Sequence, residues 1–162
     1  MVVKWLRESR TASALLLLVR LYLGYSWLTS GYGKIVEGFD ASGFLKGALA
    51  KTVGEHPSVQ GWWAAFIKGF ALPNVELFNV LVPWGELFVG LGLILGCFTT
   101  VAAFFGLVMN FSFLFSGTVS TNPQMVLLTI FIAVAGFNAG RYGLDRYVIP
   151  YLRKTVKKQK NT

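Results

Sequence analysis

The sequence predicts an all-α integral membrane protein, an antiparallel four-helix bundle, and three observations carry that reading. Hydrophobic residues make up 54% of the 162-residue chain and charged residues only 14%, about half the charged share of a soluble domain. The charges are segregated, with none between Glu86 and Arg141. Apolar runs recur over residues 12–33, 75–96, 99–116 and 124–140, each close to the roughly 20 residues that cross a bilayer.

Met1 to Thr11 is a basic, amphipathic lead-in. The first apolar run follows without a small-residue cleavage pattern after it, so it is expected to be a retained helix rather than a signal peptide. Within it Arg20, Gly24, Trp27, Gly31 and Lys34 recur at spacings of three and four and share one helical face. The two glycines on that face allow close helix approach, and Lys34 is placed to reach the outer headgroups.

Residues 34–74 form the one sizeable loop, with Lys46, Lys51 and Lys68 offset by Glu37, Asp40 and Glu55. After a turn at His56-Pro57, the stripe Trp62, Trp63, Phe66, Ile67 and Phe70 predicts one or two short interfacial helices covering the bundle. The second span carries Pro83 one turn before Glu86, together with Gly92 and Gly96 in a GxxxG pair. A tight turn at residues 96–100 returns the chain into the third span, whose one strongly polar residue is Asn110. The fourth span carries Thr129 and a second GxxxG at Gly136 and Gly140. Arg141 and Asp145, four apart, are expected to face each other on a helix continuing past that span. Residues 1–153 read as one membrane domain, and residues 154–162 as a basic, disordered tail.

The net charge of +8 comes from the two ends. Lys4, Arg7 and Arg10 precede the first span, and seven basic residues from Arg141 to Lys160 follow the last. That bias places both termini in the cytoplasm and the long loop outside, in a bacterial or archaeal cell membrane. No nucleic-acid motif accompanies the charge. One cysteine, Cys97, excludes an intramolecular disulfide and CxxC chemistry. His56 stands alone in the loop, and no residue set has haem, metal or nucleotide-binding spacing.

Counting along each span at about 1.5 Å per residue puts Arg20, Glu86, Asn110 and Thr129 in one layer near the midplane. Arg20 and Glu86, each the one charge inside its span, are expected to pair. Two readings stand side by side. The pair fixes helix register, or the layer lines a pocket for a polar head such as a quinone ring, or a proton path. In the second reading Arg20 and Glu86 are catalytic, and Trp27, Trp84, Asn110 and Thr129 contact the ligand.

Three blocks resemble one family. VRLYLGYSWLTSGYGKI (19–35) is similar to the opening of DoxX-type proteins, WGELFVGLGLILGCFTTVAAFFGLVMN (84–110) to their second and third spans, and AGRYGLDRY (139–147) to their closing segment. Its motif residues fall on Arg20, Gly31, Lys34, Glu86, Gly90, Arg141 and Asp145. The resemblance implies a four-helix membrane protein linked to quinone or thiol redox chemistry, and with it an oxidoreductase subunit using a diffusible quinone as acceptor. Electrons then come from a soluble redox or stress-enzyme partner at the cytoplasmic face. The alternative is a non-enzymatic scaffold recruiting such proteins through its basic ends. The GxxxG pairs serve packing within one bundle or within a homo-oligomer.

Overall fold

The structure is a computed structural model that describes residues 1–159. Among those residues every regular element is helical. Helix α1 (Val2–Glu8) is followed at Ser9 by α2 (Arg10–Glu37), with the Ser9 hydroxyl accepting from Ala12 N. Two short helices, α3 (Ala41–Ala50) and α4 (Gly61–Phe66), follow, and α4 runs on into a π-helical turn, Ile67–Ala71. Then come α5 (Val75–Leu95), α6 (Thr99–Phe115) and α7 (Asn122–Ala135). Helix α7 is broken at Gly136 (φ 58), where a 3₁₀ turn, Gly136–Gly140, begins, before α8 (Asp145–Gln159).

Arg10–Glu37, Val75–Leu95 and Asn122–Gly140 are long and apolar enough to cross a membrane, and Thr99–Phe115 is a shorter apolar helix. Two expectations are corrected here. Helix α2 extends past both ends of the 12–33 run, and α8 continues through Gln159 where a disordered tail is expected from residue 154. The last three residues of that expected tail, 160–162, lie outside the described residues.

Helix α2 packs on α5 over the largest interface, α6 packs on α7, and α5–α6 and α2–α7 contacts close the ring. Glycine makes the α2/α5 seam tight. A Cβ at Gly90 would stand 2.5 Å from Leu28 N, and one at Gly31 would stand 2.6 Å from Leu87 N. These are backbone-to-backbone approaches that no larger residue permits, and they fix the antiparallel register between the two helices. The core behind them gathers Leu16, Leu23 and Trp27 of α2, Val89 and Leu93 of α5, and Ile132 of α7.

The end of the ring that carries both termini is closed by main-chain and side-chain hydrogen bonds. Gly96 turns the chain in the left-handed region (φ 62), and Phe98 follows it there (φ 50), an uncommon conformation for an aromatic residue. Asp145, buried, compensates by accepting from Phe98 N at 2.7 Å and Thr99 N at 2.9 Å. It thereby caps α6 from across the fold, an interaction worth about 1 kcal/mol in typical helices. Leu144 N and Asp145 N in turn donate to Leu95 O and Gly96 O.

At the opposite end, α3, α4 and the π turn form a second apolar cluster around Leu45, Val59, Ala64 and Ile67. Trp63 Nε1 donates to Ser116 Oγ at 2.9 Å, Lys51 Nζ donates to Gly117 O, and Phe44 meets Phe113 edge-on. This loop therefore covers the end of α6.

Candidate functional site

Arg20 and Glu86 do not pair. Arg20 donates to Ala139 O at 3.0 Å and Tyr142 O at 3.1 Å, with Asp145 within electrostatic reach. Glu86 instead accepts from Lys34 Nζ at 2.6 Å and from Ser30 Oγ at 2.9 Å, and Lys34 also donates to Ser30 Oγ at 2.7 Å.

The depth count failed because it started at the beginning of the apolar run. The first turns of α2 overshoot the α5–α6 turn and pack on α1 and α7, so Arg20 lies level with Gly96 and Gly143. Glu86 lies level with Gly31, eleven residues and so about 16 Å further along α2. Lys34, expected at the headgroups, turns inward because Ser30 and Gly31 one turn earlier set it over the carboxylate.

The other expected members of the layer also separate. Asn110 is buried and donates to Asn122 Oδ1 at 2.8 Å, joining α6 to the start of α7. The Thr129 hydroxyl is buried and donates back to Met125 O, which satisfies it within its own helix. Trp84 is 46% exposed on the outer face of α5 beside Phe88. Arg141 and Asp145 do not face each other on one helix, since the 3₁₀ turn ends at Gly140 and α8 begins only at Asp145. Asp145 is committed to the α6 cap, and Arg141 reaches Asn138 Oδ1 at 3.5 Å.

What the fold does assemble is a cleft of about 1120 Å³ between α2, α5, α6, the start of α7 and the α3–α4 loop. Its walls are mostly apolar and aromatic, with Phe44, Trp63 and Phe66 from the loop, Val89 from α5, and Met109 and Phe113 from α6. Its polar groups include Lys34, Glu86 and Ser30 on one side, with Ser112, Ser116 and Asn122 elsewhere on the wall. An apolar cleft with a few convergent polar groups is the form of a small-molecule site. Trp27 lines it too, is 2% exposed, and its indole N–H has no hydrogen-bond partner. A buried donor left unpaired costs free energy that a bound acceptor recovers.

Lys34–Glu86 is the one ion pair among the described residues, and its two sides differ, the Glu86 side chain being 2% exposed and the Lys34 side chain 27%. Of the residues expected to act on a ligand, Glu86 and Trp27 line the cleft, and Arg20, Trp84, Asn110 and Thr129 do not. Ser30 went unnoticed in the sequence. The signal was there, because residues 30 and 34 are one turn apart and Ser30 flanks the glycine face.

No curated protein and no solved structure matches the chain. The family model described as DoxX matches residues 15–119. That stretch is more than half of the chain, and it holds the Lys34–Glu86 pair, Ser30, Trp27 and the whole α2/α5 seam. The chain belongs to the DoxX family.

Proposed function

We propose that this protein is a multi-pass membrane subunit of a quinone-linked redox system, with the ring of a quinone held at the Lys34–Glu86 end of the cleft. In this reading α2, α5, α6 and α7 are the four spans of an antiparallel bundle in a bacterial or archaeal cell membrane. The termini lie in the cytoplasm, and α3 and α4 lie at the outer interface. The observation that carries it is the part-buried Lys34–Ser30–Glu86 triangle on the wall of an apolar cleft that Trp27, whose buried indole N–H has no partner, also lines.

A quinone supplies a two-electron, two-proton acceptor when bound. Trp27 Nε1–H and the Lys34 ammonium are donors for its ring oxygens, the second strengthened by charge. Glu86 accepts from Lys34 and holds it in place. The aromatic residues of the α3–α4 loop keep water from the ring, and the apolar wall of α5 and α6 takes the start of an isoprenoid tail. The chain has no cofactor motif of its own, so the electrons come from a soluble thiol or stress-enzyme partner. Arg20 holds the terminal end together and takes no part in the chemistry.

The test is binding of a menaquinone analogue to the purified protein in detergent. Lys34→Met, Glu86→Gln and Trp27→Phe are each expected to weaken binding about tenfold, the worth of one charge-assisted or buried hydrogen bond. Arg20→Lys, which keeps the charge and its carbonyl partners in reach, is expected to bind as wild type does. Wild-type protein that binds no quinone, or binding that all three cleft variants leave intact, would refute the reading. The scaffold alternative would then stand.

A further inference from the structure

We infer that the terminal end of the molecule carries a second, separate site, a cleft built to take the phosphate of an anionic phospholipid headgroup. A cavity of about 710 Å³ opens between the α1–α2 junction and the segment linking α7 to α8. Four arginines line it, Arg7 and Arg10 from one side and Arg141 and Arg146 from the other, against a single carboxylate, Glu8. Asn138 forms its floor and ties the two sides together, its Nδ2 donating to Leu6 O at 2.8 Å and Ser9 O at 2.9 Å.

The arginines converge although their own charges go unanswered. Arg7 spends one donor on Val134 O, Arg141 has only the 3.5 Å contact to Asn138 Oδ1, and none of the four is in an ion pair among the described residues. Like charges gathered on two tied segments repel, and the arrangement is relieved by an anion that accepts from several guanidiniums at once. Phosphate matches the planar guanidinium fork and offers several oxygens to more than one guanidinium at once.

The elements around the cleft point to lipid as the source. Helix α1 leaves Val2, Val3 and Trp5 exposed, and α8 leaves Tyr147, Tyr151 and Leu152 exposed. Helix α8 touches the rest of the fold mainly at the 3₁₀ turn. Two such helices with bare apolar side chains lie in an interface, at the depth of the headgroups. The aromatic rings of Phe137 and Tyr142 rim the same opening and are also exposed, where acyl chains leave a headgroup. A single anionic lipid thus meets cations at its phosphate and apolar rings at its glycerol end.

The experiment titrates the full chain in dodecyl maltoside with dioctanoyl phosphatidylglycerol, dioctanoyl phosphatidylcholine and inorganic phosphate. Phosphatidylglycerol is expected to bind saturably, one molecule per chain, and about tenfold tighter than phosphatidylcholine. Arg141→Gln and Arg146→Gln are each expected to weaken it about fivefold, the worth of one cation near an anionic surface, and Glu8→Gln to tighten it. The Arg146 side chain makes no hydrogen bond among the described residues, so Arg146→Gln keeps the test readable should Arg141→Gln unfold. Equal binding of the two lipids, or phosphatidylglycerol binding untouched by Arg146→Gln, overturns the site. Displacement of the lipid by equimolar inorganic phosphate assigns the cleft to a soluble phosphate and overturns the lipid source. Displacement by a polyglutamate peptide at lower concentration assigns the face to an acidic protein and overturns it as well.

Discussion

Removing either partner of the Lys34–Glu86 pair should harm the protein unequally, and the inequality follows from burial. The Glu86 side chain is 2% exposed and the Lys34 side chain 27%. Lys34→Met leaves Glu86 charged, enclosed, and with only the Ser30 hydroxyl to serve it. Breaking a buried pair in this way costs about 3–5 kcal/mol. Glu86→Gln leaves the opposite orphan, a lysine near the cleft mouth whose flexible stem lets its head swing out to water. Its expected cost is about 1–2 kcal/mol, the loss of one charge-assisted hydrogen bond. The double variant removes both charges, so its cost should fall below that of Lys34→Met alone, with a coupling of about 2 kcal/mol. The assay is a double-mutant cycle on reversible unfolding in mixed detergent micelles, with helicity as the readout. Additive costs, or Glu86→Gln proving more harmful than Lys34→Met, would refute the argument that the carboxylate is the trapped charge.

Two glycines, Gly90 of α5 inside the α2/α5 seam and Gly33 of α2 away from it, should respond oppositely to alanine. At Gly90 the new Cβ would sit 2.5 Å from Leu28 N and 2.8 Å from Leu28 Cα; since backbone cannot step aside, Gly90→Ala should cost about 3 kcal/mol in the same unfolding assay. Nothing lies within 4 Å of a Cβ at Gly33, so Gly33→Ala should gain about 0.5–1 kcal/mol from the stiffer unfolded chain. Asp40 caps α3, accepting from the Ser42 hydroxyl at 2.5 Å and from Ser42 N at 2.9 Å, and those bonds hold its carboxyl below the usual carboxylate range. A depressed carboxyl contributes stability that is whole above the ordinary carboxylate pKa and is lost as pH falls through the depressed value. Amide exchange of residues 41–50, corrected for its intrinsic rate, should therefore quicken at low pH in wild type. Asp40→Asn should remove that dependence; an unchanged pH profile in the variant would contradict it.

The helices were legible because each apolar run is long and bounded by charge or by a glycine turn, and the faces were legible because glycine spacing marks where helices touch. Partner choice was not. Arg20 and Glu86 each stood as the single charge inside an apolar run, and a count from the run's first residue set them level. Residues 10–19 carry no mark saying that they pass beyond the α5–α6 turn. That fact comes from the α2/α5 register, which is fixed by backbone approaches at Gly24, Gly31 and Gly90. Lys34 looked like a headgroup residue because it ends the apolar run, and only that register brings Glu86 under it. Asp145 shows the same limit from another side. Its four-residue spacing from Arg141 implied a helical pair, but the 3₁₀ turn ends at Gly140 and α8 begins only at Asp145, and the carboxylate answers instead the N–H groups of Phe98 and Thr99.

The two walls of the cleft are held with unequal firmness, and this bears on how the quinone proposed above would reach Glu86. The wall that carries Lys34, Ser30 and Glu86 is the α2/α5 seam, the largest interface in the fold, locked by glycine contacts and closed at its terminal end by Arg20. The facing wall is α6, which meets α5 over a smaller interface and leaves Phe105 and Val108 of the cleft lining exposed on its outer side. Separating α5 from α6 breaks apolar contacts alone, while separating α5 from α2 would strip a buried carboxylate of its cation. The softer seam is therefore the α5–α6 one. A ring with an isoprenoid tail passing between α5 and α6 would reach the polar triangle without disturbing it, so the groups that meet the ligand stay in register whether the cleft is open or filled.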